Sequence, residues 1–149
     1  MHDVFLSHSA QDAATAGAIH EAASKMRLDI YLFEHDPRPG ENLGDKILRE
    51  ITASRCLLVL LTKNSAASAY VQQEVGAARG QGKLVVPLVE KGLDHSSLAT
   101  LQGVEYFELD RENPGAVLPE LQKASRKQLL ADLKIGAALV VVLLILDQW

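Results

Sequence analysis

The residues of this chain best suited to chemistry are an aromatic side chain and a carboxylate, Tyr70 and Glu74. A helix brings side chains four residues apart onto one face, so the two would lie one turn from each other. Such a pair near the edge of a sheet is a candidate site. A glutamate on a solvated helix surface and a tyrosine in ordinary packing are the alternative, and spacing alone favours that alternative.

Two apolar runs without alternation flank this pair, residues 56–62 (CLLVLLT) and 84–89 (LVVPLV). Such runs are typical of strands buried on both faces, which belong to parallel sheets covered by helices. The segment between them is predicted to be the crossover helix. Open parallel sheets bind ligands outside the carboxyl ends of their strands, where this helix begins. The predicted details of the helix are a cap at Asn64 or Ser65, an end at Gly80 and Gly82, and a sheet-facing stripe of Ala67, Val71, Val75 and Ala78.

The rest of the chain alternates between short apolar strands and helical segments. This order predicts an α/β fold, a flavodoxin-like open parallel five-stranded sheet with helices on both faces. We expect one domain over residues 1–128 and a separate hydrophobic C-terminal segment over 129–149. Residues 34–42 (EHDPRPGEN) are predicted to be a loop. The other predicted strands are 3–6, 30–33 and 104–109, and the other helices are 11–26 (Ala14, Ala18, Ala22 and Met26 on one stripe), 43–53 (Leu43, Ile47 and Ile51 inward) and a last one from Pro114 or Pro119 to residue 133.

Composition narrows the classes of function. With 149 residues, 48% of them hydrophobic, the chain can bury the core of one domain. Its net charge of −4 argues against a nucleic-acid partner, because no basic surplus would neutralise phosphates. The single cysteine, Cys56, excludes an internal disulfide and a cysteine-cluster metal site, and it fits a reducing compartment. The first residues lead directly into a strand, so no signal peptide is expected.

The C-terminal segment departs from a plain globular domain, because every residue from Ile135 to Leu146 is uncharged. A helix of that length spans about 18 Å, short of the roughly 30 Å hydrocarbon core of a bilayer. Lysine and arginine residues precede the run and Asp147 follows it, which would place the globular part on the cytoplasmic side of a membrane. We expect membrane contact here. A truncated membrane span, a buried sixth strand and an oligomer-forming helix are the alternatives.

Several familiar catalytic patterns are absent from the sequence. It contains no G-x-G-x-x-G, no G-x-x-x-x-G-K-[ST] and no G-x-S-x-G, and its five histidines show no metal-ligand spacing. A phospho-receiver domain needs an acceptor aspartate where residues 61–64 read LTKN. One carboxylate is too few for ordinary glycoside hydrolysis, which uses a pair. It is enough when the leaving group needs no proton: nicotinamide leaves NAD as a neutral base, and one glutamate can stabilise the cation-like transition state.

Four stretches, in one order along the chain, resemble the Toll/interleukin-1 receptor (TIR) domain family of the bacterial or archaeal kind. Residues 3–9 (DVFLSHS) resemble the family's first box, D-V-F-[IL]-S-[YH]-S. The stretch from Pro37 to Asn42 (PRPGEN) resembles the loop after the second strand, and residues 51–62 resemble the helix and strand that follow. Residues 68–74 (SAYVQQE) resemble S-x-W-[VC]-x-x-E of enzymatic members, with Tyr70 in place of Trp. The likeness covers about residues 3–125 and implies the TIR fold.

The resemblance also implies two functions. Many TIR domains are adaptors that assemble through the loop after the second strand. Others cleave NAD or convert it to cyclic ADP-ribose isomers, commonly in defence against phage and usually once assembled. In these members the glutamate on the helix after the third strand is catalytic, a role that falls on Glu74, and NAD is the substrate with no cofactor implied. By the same resemblance the residues that would line the NAD site are Phe5, Ser7, His8, Ser9, Arg38, Leu43 and Tyr70.

The leading interpretation is an NAD glycohydrolase or cyclase that self-association activates in immune or phage-defence signalling. The first alternative is a non-catalytic TIR scaffold that acts through the loop from Pro37 to Asn42. The second is a nucleoside deoxyribosyltransferase-like enzyme, which the first box disfavours. Two departures from the enzymatic pattern, Tyr70 for Trp and His8-Ser9 for an aromatic followed by Arg, bear on the rate and on nicotinamide stacking.

Overall fold

A single parallel sheet of five strands organises the computed structural model, which describes residues 1–65, 68–93, 101 and 104–132, the last five of these by their backbone alone. The strand order is β2-β1-β3-β4-β5, which confirms the predicted flavodoxin-like order. The α/β class is confirmed with it. The elements in chain order are β1 (His2–Ser7), α1 (Ala13–Lys25), β2 (Ile30–Tyr31), α2 (Leu43–Thr52), β3 (Ser54–Leu61), α3 (Ala69–Gly80), β4 (Leu84–Glu90), β5 (Phe107–Leu109) and α4 (Leu118–Asp132), with 3₁₀ turns at Ala10–Asp12, Phe33–His35 and Pro114–Val117.

The central strand β3 has a buried apolar residue at nearly every position because helices cover both faces of the sheet. Its side chains alternate between two cores, as the pleat of a strand requires. Leu58 and Leu60 pack with α1 and α4, whereas Leu57 and Val59 pack with α2 and α3. A continuous apolar run therefore encodes a strand buried on both sides, as predicted.

Two local predictions about the helices are wrong. The inward face of α1 consists of Ala16, Ile19 and Ala23, while Ala14 lies exposed to solvent, because the helix is rotated relative to the predicted stripe. Helix α3 begins later than predicted, with Ser68 as its N-cap instead of Asn64 or Ser65. Both earlier residues are used elsewhere: the Ser65 hydroxyl accepts a hydrogen bond from the Thr62 backbone N–H, which belongs to the turn after β3.

The second strand is shorter than predicted, because a 3₁₀ turn replaces its expected end at Phe33. The prolines that follow prevent a longer strand, and Gly40 adopts a left-handed φ of +85° within the loop. At the opposite side of the sheet β5 is the edge strand, which begins at Phe107 and is thus shorter than the predicted strand 104–109; the side chains of Glu105, before it, and Glu108, within it, are exposed. Among the residues described, no helix combines the length and apolar character that crossing a membrane requires. The run from Ile135 to Leu146 lies outside them.

Candidate active site

Helix α3 carries Glu74 to the carboxyl edge of the sheet. Ser68 starts the helix by accepting a hydrogen bond from the backbone N–H of Val71, as expected of an N-cap serine. Val71, Val75 and Ala78 then fix the rotation of the helix, since all three are fully buried against the sheet. Glu74 lies on the same side, one turn from Val71 and Ala78, and only 8% of it is exposed. The buried face of the helix therefore includes a carboxylate.

Glu74 has an unusual environment for an acid. The hydroxyl of Ser7, the last residue of β1, donates a hydrogen bond to its Oε2 atom. Burial raises the pKa of Glu74 to about 7; the Ser7 hydrogen bond opposes this rise and the negative charge of Glu34 adds to it. Within the described part of the chain, Glu74 forms no ion pair with a lysine, arginine or histidine. Near neutral pH the carboxyl group is therefore divided between its neutral and ionised forms.

A cleft of about 300 Å³ opens beside this carboxyl group between the ends of β1 and β2 and the first turns of α2 and α3. We call it the Glu74 cleft. Tyr70 stands at its rim with 58% of its surface exposed. A groove of about 400 Å³ between α2 and α3 continues from it and shares Leu43, Ile47, Tyr70 and Glu74. The residues that line the cleft are Phe5, Leu6, His8, Ser9, Ala10, Phe33, Glu34, Leu43, Ile47, Ser68, Tyr70 and Glu74.

Most residues that the resemblance assigned to a site come together here. Phe5, His8, Ser9, Leu43 and Tyr70 line the cleft with Glu74, and Ser7 contacts the Glu74 carboxyl group from behind. Their convergence follows from topology, because β1 and β3 end at the same edge of a parallel sheet and α3 starts there. Ordinary surface placement, the alternative for Glu74, does not describe this buried carboxylate.

Arg38 lies apart from the other assigned residues. Its Nε atom donates to Asp36 Oδ1 at 3.1 Å, and its side chain lines two neighbouring cavities on the side of the loop after β2. It is not among the described residues that line the Glu74 cleft. In this structure Arg38 belongs to the surface of the loop.

A network of short polar side chains fixes the loops below the cleft. Asp12 is 3% exposed, and its Oδ2 atom accepts hydrogen bonds from Ser9 Oγ at 2.8 Å and Thr62 Oγ1 at 2.6 Å. Asn64 Nδ2 lies 3.3 Å from the other oxygen of Asp12. The hydroxyl of Ser9 is thus occupied by Asp12, so Ser9 contributes to the cleft as a positioned wall. The network joins the loop after β1 to the turn after β3.

Sequence reasoning missed Glu34 and Phe33, which lie in the 3₁₀ turn after β2 and line the cleft. The Glu34 Oε1 atom lies 2.5 Å from Nε2 of His8. On α2, Lys46 is 3% exposed, donates to the backbone carbonyl of Asp36, and places its Nζ atom 4.3 Å from the centre of the Phe33 ring. This contact holds the loop against the helix. Glu34 directly follows the predicted strand 30–33, and residues at that end of a parallel strand often line a ligand site. From the sequence alone it belongs only to the predicted loop 34–42.

The family of the chain follows from comparison with known proteins. A family model described as TIR domain matches residues 4–123. The chain belongs to the TIR domain family. No curated protein sequence matches it at a significant level. The TIR fold inferred from the first box, the loop after the second strand and the segment that ends at Glu74 is confirmed.

Solved structures share this TIR fold at low sequence identity. The TIR domain of the Toll-related receptor TRR-2 from Hydra magnipapillata matches with a TM-score of 0.69 and 13% identity, over 85% of this chain and 99% of that one. A metazoan TIR-STING receptor from C. gigas in complex with 2',3'-cGAMP gives a TM-score of 0.69 and 18% identity, over 84% of this chain and 39% of that chain. The TIR domains of the activated Roq1 resistosome, which recognises the pathogen effector XopQ, give a TM-score of 0.56 and 16% identity, over 91% of this chain and 86% of that chain. These TM-scores establish a common fold.

Residues that could bind a metal do not cluster in the described part of the TIR domain, where no group of three or more histidine, cysteine or acidic side chains has suitable geometry. Cys56 is buried within β3 and is unpaired. The chemistry that the described side chains can perform therefore centres on the carboxylates and polar groups of the Glu74 cleft.

Proposed function

We propose that this TIR domain cleaves the nicotinamide–ribose bond of NAD, with Glu74 as the catalytic residue. The observation that carries the proposal is a buried carboxyl group that faces a cleft and forms no ion pair with any residue that the structure describes. Structural carboxylates in a core are normally neutralised by a paired cation, so an unpaired one in a cleft is typical of functional sites. A positively charged substrate would supply the missing charge.

NAD carries such a charge on its nicotinamide ring. When the bond between C1′ of the ribose and the ring nitrogen breaks, the electron pair stays with nicotinamide, which leaves as a neutral molecule. The positive charge then moves to the ribose, where the ionised Glu74 stabilises it electrostatically in a low-dielectric site. Water captures C1′ to give ADP-ribose and one proton, or a nitrogen of the adenine captures it to give a cyclic isomer. Tyr70, at the rim, would contact the nicotinamide or ribose.

Assembly is the second part of this proposal. The cleft is open on the side of Tyr70, and self-association through TIR domains would cover that side, strengthen the electrostatic effect of Glu74 on the reacting ribose and so activate the enzyme. The context would be immune or phage-defence signalling in the cytoplasm, and the hydrophobic segment from Ile135 to Leu146 would attach the domain to the inner face of the cell membrane.

A scaffold without catalytic activity is the second candidate. The observation that favours it is a loop that is exposed and yet firmly attached. Residues 37–40 are all exposed, while Lys46 fixes the preceding Asp36 through its backbone carbonyl. A rigid exposed loop is suited to recognition of another TIR domain, since little conformational entropy is lost on binding.

Nicotinamide release from NAD distinguishes the two candidates. Purified protein is assayed over a wide concentration range, with assembly followed by light scattering, and wild type is compared with Glu74→Gln and with Glu21→Gln. Glu21 is an exposed residue of α1 whose side chain is 77% exposed, so it serves as the matched control. We expect release by wild type and Glu21→Gln, and a loss of more than about 100-fold in Glu74→Gln. Absence of release from an assembled wild-type sample would identify the scaffold as the correct function.

A further inference from the structure

The Glu74 cleft contains a second carboxylate, Glu34. It reaches the cleft from the 3₁₀ turn after β2, so the two acids come from opposite sides of β1. Neighbouring residues at the end of β1 hold them: Ser7 donates to Glu74, and His8 contacts Glu34. Hydrolysis of glycosidic bonds normally employs two carboxylates with different roles. Glu34 is therefore a candidate for the second of these roles.

The contacts of His8 define how Glu34 is held. Its Nδ1 atom lies 3.3 Å from the backbone carbonyl of Leu6, the second contact that orients the ring. Its Nε2 atom lies 2.5 Å from Glu34 Oε1, within hydrogen-bond distance. The His8 side chain is only 4% exposed, so the ring is fixed in this orientation. Oε1 of Glu34 is therefore occupied, while Oε2 has no hydrogen-bond partner among the residues described.

The two carboxylates differ in their contact with water. Glu74 is buried beneath the cleft, whereas the Glu34 side chain is 42% exposed. A base must accept a proton from a nucleophile and pass it to solvent, and an exposed carboxylate can do both. Glu74 is suited instead to stabilise charge, because its burial strengthens electrostatic interactions. Nicotinamide needs no proton to leave, so the second acid is not required at the leaving group.

Building on the proposed cleavage of NAD, we propose that Glu34, held by His8, is a second catalytic residue and serves as the base for the attacking water. The water oxygen bonds to C1′ of the ribose as the bond to nicotinamide breaks. One O–H bond of the water breaks, its proton moves to Glu34 Oε2, and solvent then takes it. The products are ADP-ribose, neutral nicotinamide and one proton. His8 is a positioning residue that holds Oε1 and leaves Oε2 available to the water.

A nucleophile that has no proton to lose separates this role from a structural one. The pyridine nitrogen of 3-acetylpyridine attacks C1′ with its lone pair, so exchange of nicotinamide for this base needs no general base. Assembled full-length protein is incubated with NAD with and without 3-acetylpyridine, and ADP-ribose and the exchanged dinucleotide are measured by mass spectrometry. The variants are Glu34→Gln, His8→Phe, Glu74→Gln and the control Glu21→Gln.

We expect Glu34→Gln to lose hydrolysis by about 100-fold, the usual contribution of a general base, while exchange stays near the wild-type rate. His8→Phe should show the same selective loss to a smaller extent, and Glu74→Gln should lose both reactions. Retained hydrolysis in Glu34→Gln, or an equal loss of both reactions, would overturn the role of Glu34 and leave the proposed cleavage of NAD intact. Absence of both reactions in the wild type would overturn the proposed function itself.

Chemical rescue provides an independent readout that does not depend on exchange. Glu34→Ala leaves space beside His8 where formate, a small carboxylate, can bind. Restoration of hydrolysis by added formate in Glu34→Ala, but not in Glu74→Ala, supports the base role. Hydrolysis by Glu34→Ala that is low and insensitive to formate, together with unchanged folding by circular dichroism, would contradict it.

Discussion

At the scale of single residues, Glu74 combines burial with a neutral hydrogen-bond donor, Ser7. Burial raises the pKa of Glu74 and so favours the neutral carboxyl group, whereas the hydrogen bond from Ser7 favours the ionised form. Because the proposed chemistry needs the ionised form, the raised pKa makes activity dependent on pH in a range that can be measured. The same raised pKa makes ionisation of Glu74 a cost to folding, which is measurable without any substrate.

The rate of NAD cleavage should follow the ionisation of Glu74. With a pKa of about 7, kcat/KM for nicotinamide release should rise tenfold per pH unit at lower pH and level off above about pH 7. The assay is run from pH 5.5 to 8.5 on assembled protein, with circular dichroism at each pH to exclude unfolding. A rate that does not change over this range would contradict the role of the carboxylate.

Glu74→Gln should stabilise the fold at high pH. The unfolded chain loses its Glu74 proton near the ordinary pKa, whereas the folded chain keeps it up to about pH 7, so wild-type stability falls with rising pH between these values. The amide variant has no such loss and can still accept from Ser7. Its advantage should be small at pH 4.5 and reach up to about 3 kcal/mol at pH 8 in urea unfolding. Glu21→Gln is the control, and a gain independent of pH would contradict the assignment.

At the scale of elements, the start of α3 determines where Tyr70 and Glu74 stand. Ser68 caps the helix and also lines the cleft, so the cap links helix stability to the site. The loop before α2 is held in a comparable way, by the Asn42 cap and by Lys46 against Phe33. Both elements thus begin at the edge of the cleft with their orientation fixed locally.

Removal of the α3 cap should destabilise the protein and disturb the site. Ser68→Ala loses the hydrogen bond to the Val71 N–H, and we expect a cost of about 1 kcal/mol in urea unfolding. Ser24→Ala, in the exposed last turns of α1, is the matched control and should change stability by less than about 0.5 kcal/mol. Equal effects of the two substitutions would show that Ser68 does not act as a cap.

At the scale of the whole molecule, the exposed loop from Pro37 to Asn42 is the surface we expect to mediate self-association. Gly40 has a φ of +85° there, and Gly82, after α3, has a φ of +70°. An alanine at either position adopts a strained backbone conformation that costs about 1 kcal/mol of stability. The two substitutions therefore destabilise the fold to a similar extent, but only Gly40→Ala alters the exposed loop.

Gly40→Ala should therefore reduce self-association, and Gly82→Ala should not. Both variants are compared with wild type by sedimentation velocity over a range of concentrations, after urea unfolding has shown that they lose similar stability. If Gly82→Ala impairs assembly as much as Gly40→Ala does, general destabilisation accounts for the effect and the loop is not the contact surface.

Membrane attachment is a second prediction for the whole chain. Deletion of residues from Ile135 to Trp149 should release the protein from anionic lipid vesicles in a flotation assay, because the deletion removes the apolar run. The full-length protein should float with the vesicles. A full-length protein that stays at the bottom of the gradient would rule out membrane attachment through this segment.

The architecture was accessible from the sequence because its signals are local and strong. Apolar runs such as residues 56–62 encode strands buried on both faces, and the first box with the segment that ends at Glu74 identified the family. The helix cap and the inward face of α1 were less accessible. Ala14, Ala16 and Ala18 are equivalent in the sequence, and packing against Leu58 and Leu60 selects between them.

The sequence by itself determined the fold class and Glu74 as the leading candidate for catalysis, whereas the strand order, which the alternation of elements only suggested, was established by the tertiary structure. Only the tertiary structure decided that Glu74 is buried, that Ser7 is its hydrogen-bond donor, and that Glu34 shares its cleft. Burial and charge interactions depend on residues that are far apart in the chain. Ser7, Glu34 and Glu74 meet because three strand ends converge at one edge of a parallel sheet, a juxtaposition that no local pattern encodes.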